Sequence, residues 1–180
     1  MNARRDTCGN AVTAQPQPAC RAATDLLQAL ERLGYDFLAP TPASQARVLE
    51  RAGRDPGDNL TDLLGWSRPC RSDNLPGQVL RALEDAGFLE HPGEGLVAAR
   101  VRVSRVFGNL FIHSRFPTVE HHAVFLGPDS HRFGDYILRN IGGLDGPVRI
   151  LDYGAGAGVG GITAASHLTG ASLTLADVNP

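Results

Sequence analysis

The sequence contains no lysine, and all 17 basic residues among its 180 residues are arginines. GC-rich codon usage is a simpler cause than seventeen separate demands for guanidinium geometry. Cysteine is also scarce. The three cysteines form no CxxC pair, which argues against a disulfide framework and against a zinc site. We therefore expect a reducing, cytoplasmic compartment.

Long apolar runs are missing too. No run approaches the roughly 20 residues that a helix needs to cross a bilayer. Arg4 and Arg5 are not followed by the apolar core of a signal peptide. The net charge of −2 predicts neither a strongly nucleic-acid-seeking surface nor a membrane-seeking one. An apolar content of 42% is ordinary for a globular protein with one large or two small domains.

The N-terminal part of the chain changes character twice. Residues 1–20 carry almost no large apolar side chain, so we expect a disordered leader that cannot offset the entropy of ordering. Helical spacing then predicts four helices, the second of which begins at Thr41-Pro42 as N-cap and first helical residue. Two-residue alternation over residues 101–113 predicts a hairpin. Helices followed by a β-ribbon resemble a winged helix-turn-helix, which defines a first predicted domain over residues 21–117.

Two surfaces of this predicted domain are candidates for nucleic-acid contact. The fourth helix would present Gln78, Arg81 and Glu84 to a groove, but Glu84 and Asp85 oppose phosphate. Four arginines near the hairpin are a better basic candidate, although a solvated strand face is the simpler interpretation. These arginines are Arg100, Arg102, Arg105 and Arg115. Winged helices also serve as packing or protein-binding modules.

A second domain is predicted over residues 118–180. A short apolar strand ends at Asp152 and runs into five glycines within eight residues. A helical segment follows, and then a second apolar strand that ends at Asp177. This order builds the cofactor crevice of an open α/β sheet. We therefore expect an α/β chain, in which a winged-helix-like α+β domain precedes the first β-α-β unit of a Rossmann-like sheet.

The glycine loop favours one class of cofactor. Its glycines allow sharp turns and close ligand approach, and the following helix directs its N–H groups at the ligand. Asp177 is placed to accept hydrogen bonds from a ribose diol. Asp152 discriminates between cofactors, because a carboxylate before the first glycine repels a pyrophosphate and attracts a cation. A formal GxGxxG match from Gly156 to Gly161 keeps a dinucleotide as the alternative.

These motifs resemble a known family. Leu151-Asp-Tyr-Gly-Ala-Gly-Ala-Gly158 resembles the first motif of class I S-adenosylmethionine-dependent methyltransferases, and Leu175-Ala-Asp-Val-Asn-Pro180 resembles their second. Leu126-Gly-Pro-Asp-Ser130 is similar to the preceding segment in the methyltransferase small domain group. That group contains protein-glutamine N5-methyltransferases and guanine-N2 methyltransferases of ribosomal RNA. The resemblance implies S-adenosylmethionine as cofactor, held by Asp152, Gly154, Ala155, Gly156, Gly158, Asp177, Asp129 and Ser130.

Within that set, the resemblance implies a ribose contact for Asp177 and a position over the methionine end of the cofactor for Asp129 and Ser130. An equally weighted alternative for Asp129 is capping of the helix that follows it. No metal site is expected. Family members hold the methylated planar nitrogen with an Asn-Pro-Pro-Tyr-type tetrapeptide after a fourth strand, and this sequence contains none. We therefore assign no catalytic residue.

The functional expectation is an N-terminal portion of a methyltransferase that is inactive alone. The acceptor would be a planar nitrogen of a protein glutamine or of an RNA base, and the first domain could contact nucleic acid. Two other functions stay open. One is an NAD(P)-dependent oxidoreductase, and the other is a non-catalytic winged-helix regulator that binds nucleic acid.

The truncated sheet generates a testable prediction. Two parallel strands and one crossover helix cannot cover both faces of a parallel sheet. We expect residues 148–180 to exchange their amide protons readily in the 180-residue chain, unless further sequence completes the sheet. Native-state hydrogen exchange measures this, and near-global protection of both strands in the isolated chain would contradict it.

Overall fold

A computed structural model describes a mixed α/β chain over residues 17–53, 55–118, 121–144 and 147–178. Most of the predicted leader lies outside these residues. The expectation of disorder up to residue 20 is nevertheless wrong at its end, because the first helix begins at Pro18. Proline suits the first helical position, where an N–H group would have no partner within the helix.

Short helices and strands alternate along the first part of the chain. Their bounds are α1 Pro18–Arg32, α2 Pro42–Ala52, a π-helical turn Thr61–Gly65, β1 Cys70–Arg71, a 3-10 turn Ser72–Asn74, α3 Gly77–Asp85, β2 Leu89–Gly93, β3 Leu96–Ala99, β4 Val101–Val106 and β5 Asn109–Ser114. The order β1-β3-β2 forms one antiparallel sheet, and β4 pairs with β5 in a second. The predicted hairpin over residues 101–113 is therefore confirmed as β4–β5.

The last part of the chain contains one parallel strand pair. Its elements are α4 Pro128–Asn140, β6 Arg149–Tyr153, α5 Val159–Ser166 and β7 Ser172–Ala176. Strands β6 and β7 pair in parallel, with Asp152 opposite Leu175, and α5 connects them. Helix α5 contacts α4, β6 and β7, so the described helices cover one face of the pair. On the opposite face Leu151 and Tyr153 are 67% and 85% exposed.

The predicted start of α2 is confirmed, and a side chain makes a similar hydrogen bond at the start of the π-helical turn. The Thr41 hydroxyl caps α2 by accepting a hydrogen bond from the Ser44 N–H at 3.2 Å. At the π-helical turn, the Asn59 side-chain oxygen accepts one from the Asp62 N–H at 2.9 Å. Both satisfy amide groups that have no partner within their own helix.

The β4–β5 hairpin, here called the ribbon, is buried on both faces. On one face Val103 packs into the main core, which also contains leucines of α1, α3 and the π-helical turn. On the other face Val106 and Phe111 join a second cluster that includes Leu126 and Val159. Because Leu126 precedes α4 and Val159 begins α5, the ribbon connects the N-terminal elements to the glycine loop region.

The burial of both faces corrects the expectation of a solvated arginine stripe. Arg102 is only 5% exposed. Its Nε donates to the Gly65 carbonyl at 2.9 Å, and its Nη2 donates to the Gln45 side-chain oxygen at 3.2 Å. Burial lowers the pKa of Arg102 to about 10, so the group remains a cation at neutral pH. On the same face His113 bonds Ser104 at 2.9 Å, and burial lowers the pKa of His113 to about 3.

The other arginines near the ribbon are paired with carboxylates. Arg100 and Arg115 lie 3.1 Å and 2.6 Å from oxygens of Glu90. The hydrogen bond from Arg115 holds the pKa of Glu90 below its usual value. Arg105 lies 2.9 Å from an oxygen of Glu31. As described, the ribbon therefore offers no unpaired basic stripe to a phosphate backbone.

The buried arginine yields a stability prediction. Arg102→Met leaves the buried Gly65 carbonyl and the Gln45 amide oxygen without their donor. We expect the free energy of unfolding to fall by about 2–3 kcal/mol. Urea denaturation followed by circular dichroism measures the change. Arg100→Met is the control, because its pair with Glu90 is exposed and should cost less than about 1 kcal/mol. Equal losses in the two variants would contradict a structural role for Arg102.

Candidate cofactor site

The loop between β6 and α5 requires glycine at three positions. Gly154, Gly156 and Gly158 have φ angles of +75°, +51° and +80°, a region that residues with a Cβ rarely adopt. The loop also folds over the end of the neighbouring strand, because the N–H groups of Gly154 and Ala155 donate to the Ala176 carbonyl at 2.8 Å and 3.1 Å. These conformations account for the alternating glycines of the motif.

The first turn of α5 packs closely against its neighbours. An ideal Cβ on Gly161 would lie 2.7 Å from Leu173 Cδ1 and 2.9 Å from Leu175 Cδ2. An ideal Cβ on Gly160 would lie 2.6 Å from Phe133 Cε1 of α4. Real Cβ atoms do not approach other atoms so closely. The glycine pair therefore lets α5 sit directly on β7 and under α4.

Asp152 connects the end of β6 to this helix. Its Oδ2 accepts a hydrogen bond from the Gly161 N–H at 2.7 Å. A carboxylate at this end of a helix is stabilised by the unpaired N–H groups and the helix dipole. The alternation of β6 places Asp152 on the side of α5, whereas Tyr153 lies on the open face.

Asp177 reaches the same loop from the end of β7. Its Oδ2 accepts a hydrogen bond from the Gly156 N–H at 2.7 Å. The two acidic residues singled out by the sequence therefore bind different parts of one segment. Asp177 holds the middle of the loop, and Asp152 holds the first turn of the helix.

The start of α4 settles the alternative proposed for Asp129. Gly127 is the N-cap residue, and the Ser130 hydroxyl accepts a hydrogen bond from the Gly127 N–H at 3.4 Å. Asp129 lies inside the first turn and is exposed. The interpretation of Asp129 as the cap of this helix is therefore wrong.

The glycine loop and the starts of α4 and α5 line an open cavity of about 340 Å³, a volume within the range of small-molecule sites. Its lining residues are Phe125, Asp129, Ser130, Phe133, Asp152, Gly154, Ala155, Gly156, Ala157, Val159 and Gly160. Six of the eight predicted contact residues are in this set. Gly158 and Asp177 are not in this set, although the Asp177 carboxylate accepts a hydrogen bond from the N–H of the lining residue Gly156. Ligand binding by these residues stays a prediction.

The charge of the cavity has one sign. Asp129 and Asp152 are carboxylates, and no arginine or histidine occurs among the lining residues that the structure describes. Because two carboxylates and no cationic side chain line it, the cavity favours a cationic ligand and disfavours an anionic one.

Two aromatic lining residues were missed by sequence reasoning. Phe125 and Phe133 are 50% and 53% exposed, although phenylalanine is usually buried. The spacing of Phe133, Tyr136, Ile137 and Ile141 predicts a shared apolar helix face. That spacing is the only signal that Phe133 carries, and it is the same signal that a core residue gives.

A comparison with protein-family models finds no match for this chain, and a search of curated proteins also finds none. Among the described helices, none is both long and apolar enough to cross a membrane. The described residues also contain no group of three or more His, Cys, Asp or Glu side chains that could hold a metal ion.

The packing of α5 generates a prediction for Gly161→Ala. The added methyl group would collide with Leu173 and Leu175 and would push α5 away from β7. We expect the free energy of unfolding to fall by about 1–3 kcal/mol, measured by thermal or urea denaturation. Gly142→Ala is the matched control, because an ideal Cβ there meets no atom within 4 Å. A Gly161→Ala variant as stable as that control would contradict the described packing.

Proposed function

We propose that this chain binds S-adenosylmethionine and forms the cofactor-holding part of a methyltransferase. The observation that carries the proposal is the cavity, in which the glycine loop, two carboxylates and the first turn of α4 converge. The parallel unit β6–α5–β7 supports a Rossmann-like sheet of the methyltransferase type. The helices and the two antiparallel sheets before it support a winged-helix-like N-terminal domain.

The residues present fit this cofactor. Asp152 and Asp129 favour its cationic groups, and Ser130 adds a hydroxyl beside them. Asp177, at the end of the second strand, would accept hydrogen bonds from the ribose diol. When bound, S-adenosylmethionine supplies an electrophilic methyl group. The chain's part is to hold the methyl donor in a fixed orientation, since methyl transfer depends mostly on alignment and desolvation of donor and acceptor.

The dinucleotide alternative fits less well. A pyrophosphate needs N–H groups at the start of the helix, but the Gly161 N–H already donates to Asp152 at 2.7 Å. The same carboxylate would repel the anion by a few kcal/mol in a partly buried site. An NAD(P)-dependent oxidoreductase is therefore the weaker candidate.

The nucleic-acid-binding regulator also loses support. The arginines near the ribbon are buried or paired, and α3 carries Glu84 and Asp85 beside Arg81. The proposed methyl acceptor remains a planar nitrogen of a protein glutamine or of an RNA base, in the reducing cytoplasm that the scarcity of cysteine favours.

Isothermal titration calorimetry on the 180-residue chain tests the proposal. We expect S-adenosylmethionine to bind and NAD⁺ not to bind. Asp152→Asn should lower the affinity for S-adenosylmethionine by roughly tenfold, which is equivalent to about 1.4 kcal/mol of binding free energy. The asparagine oxygen can still accept from Gly161, so the loss reports on charge. Asp135→Asn is the control, because this carboxylate pairs with Arg139 on α4 and does not line the cavity.

Three outcomes would overturn the proposal. Binding of NAD⁺ without S-adenosylmethionine would favour an oxidoreductase. A salt-dependent shift in the electrophoretic mobility of DNA, without binding of either cofactor, would favour the nucleic-acid-binding regulator. An unchanged affinity of Asp152→Asn would remove the charge argument.

A further inference from the structure

We propose that Phe133 is the residue by which this chain distinguishes the sulfonium of S-adenosylmethionine from the neutral thioether of its demethylated product, S-adenosylhomocysteine. The inference rests on the proposed function and assigns a specificity-determining role within the same cavity. Phe133 lies in the second turn of α4 and lines the cavity with a half-exposed ring.

The ring lies against the same glycine as the carboxylate of Asp152. An ideal Cβ on Gly160 would lie 2.6 Å from Phe133 Cε1 and 3.4 Å from Asp152 Oδ2. The absence of a side chain at Gly160 therefore leaves an aromatic ring and a carboxylate on either side of one position in the cavity wall. This point is the first turn of α5, next to the glycine loop.

An aromatic ring beside a carboxylate stabilises a ligand group that is both cationic and partly apolar. The negative face of the ring attracts a cation that carries apolar substituents, as in the recognition of quaternary ammonium groups. The carboxylate adds a charge of the opposite sign. A sulfonium has both a positive charge and a methyl substituent. A thioether has neither the charge nor the methyl group, so the pair contributes much less to its binding.

Phe125 is the other aromatic residue in the lining, and its position argues against the same role. An ideal Cβ on Gly127 would lie 2.5 Å from its ring atom Cζ, so Phe125 covers the N-cap of α4. That site is separate from Gly160 and Asp152. Phe133 is therefore the aromatic residue that lies next to the turn between the Asp152 carboxylate and the start of α5.

The test compares two ligands by calorimetry on the 180-residue chain. Wild-type protein should bind S-adenosylmethionine more tightly than S-adenosylhomocysteine. Phe133→Leu keeps an apolar side chain without a ring, and we expect it to reduce that preference by roughly tenfold, through weaker binding of the sulfonium ligand. Phe133→Tyr keeps the ring and should keep the preference.

Further variants separate the role of the ring from a change in folding. Tyr136→Leu removes an exposed aromatic residue from the same helix, outside the cavity lining, and should change neither affinity. Phe133→Met provides a second ring-free side chain if the leucine variant does not fold, as judged by circular dichroism. Phe125→Leu should leave the preference intact.

The outcomes separate this inference from the proposed function. If wild-type protein binds neither ligand, the proposed function fails, and this inference fails with it. If both ligands bind but Phe133→Leu weakens them by the same factor, Phe133 is a packing residue and only this inference is overturned. Loss of the preference in Phe125→Leu, with Phe133→Leu unchanged, would assign the role to the other ring.

Discussion

One hydrogen bond, from the Gly161 N–H to the Asp152 carboxylate, joins the end of β6 to the first turn of α5. The 2.7 Å distance is possible because Gly160 and Gly161 leave room for the strand and helix to approach. The close approach in turn brings Leu173 and Phe133 onto the helix. The loop between strand and helix must then turn within a few residues, which accounts for its left-handed glycines.

The sequence was most informative where structure depends on single residues. Glycine at positive φ and proline at a helix start have local causes, so the loop, β6, β7 and the start of α2 could be predicted. Strand β2 was not predicted, because Leu89 is its one large apolar residue and Pro92 argues against a strand. Its place beside β3 depends on pairing, which spacing along the chain does not encode.

The same limit applies to surfaces. The alternation in β4 predicts one solvent-exposed face and one buried face. The ribbon is instead covered on both faces, so Arg102 and His113 are buried. In α4 the spacing of Phe133 is that of a core residue, although its ring lines the cavity. Gly134 is the buried position of that helix, because the ring of Phe107 lies against it. These assignments depend on residues that are distant in sequence.

The ribbon has a thermodynamic consequence through Val159. This residue lines the cavity, begins α5 and packs in one cluster with Val106 and Phe111 of the ribbon. The opposite face of the ribbon belongs to the core formed by the N-terminal helices. A ligand that orders the first turn of α5 therefore stabilises, by mass action, the cluster that this turn shares with the ribbon. Wherever the two clusters unfold together, the N-terminal helices gain stability from the same binding event.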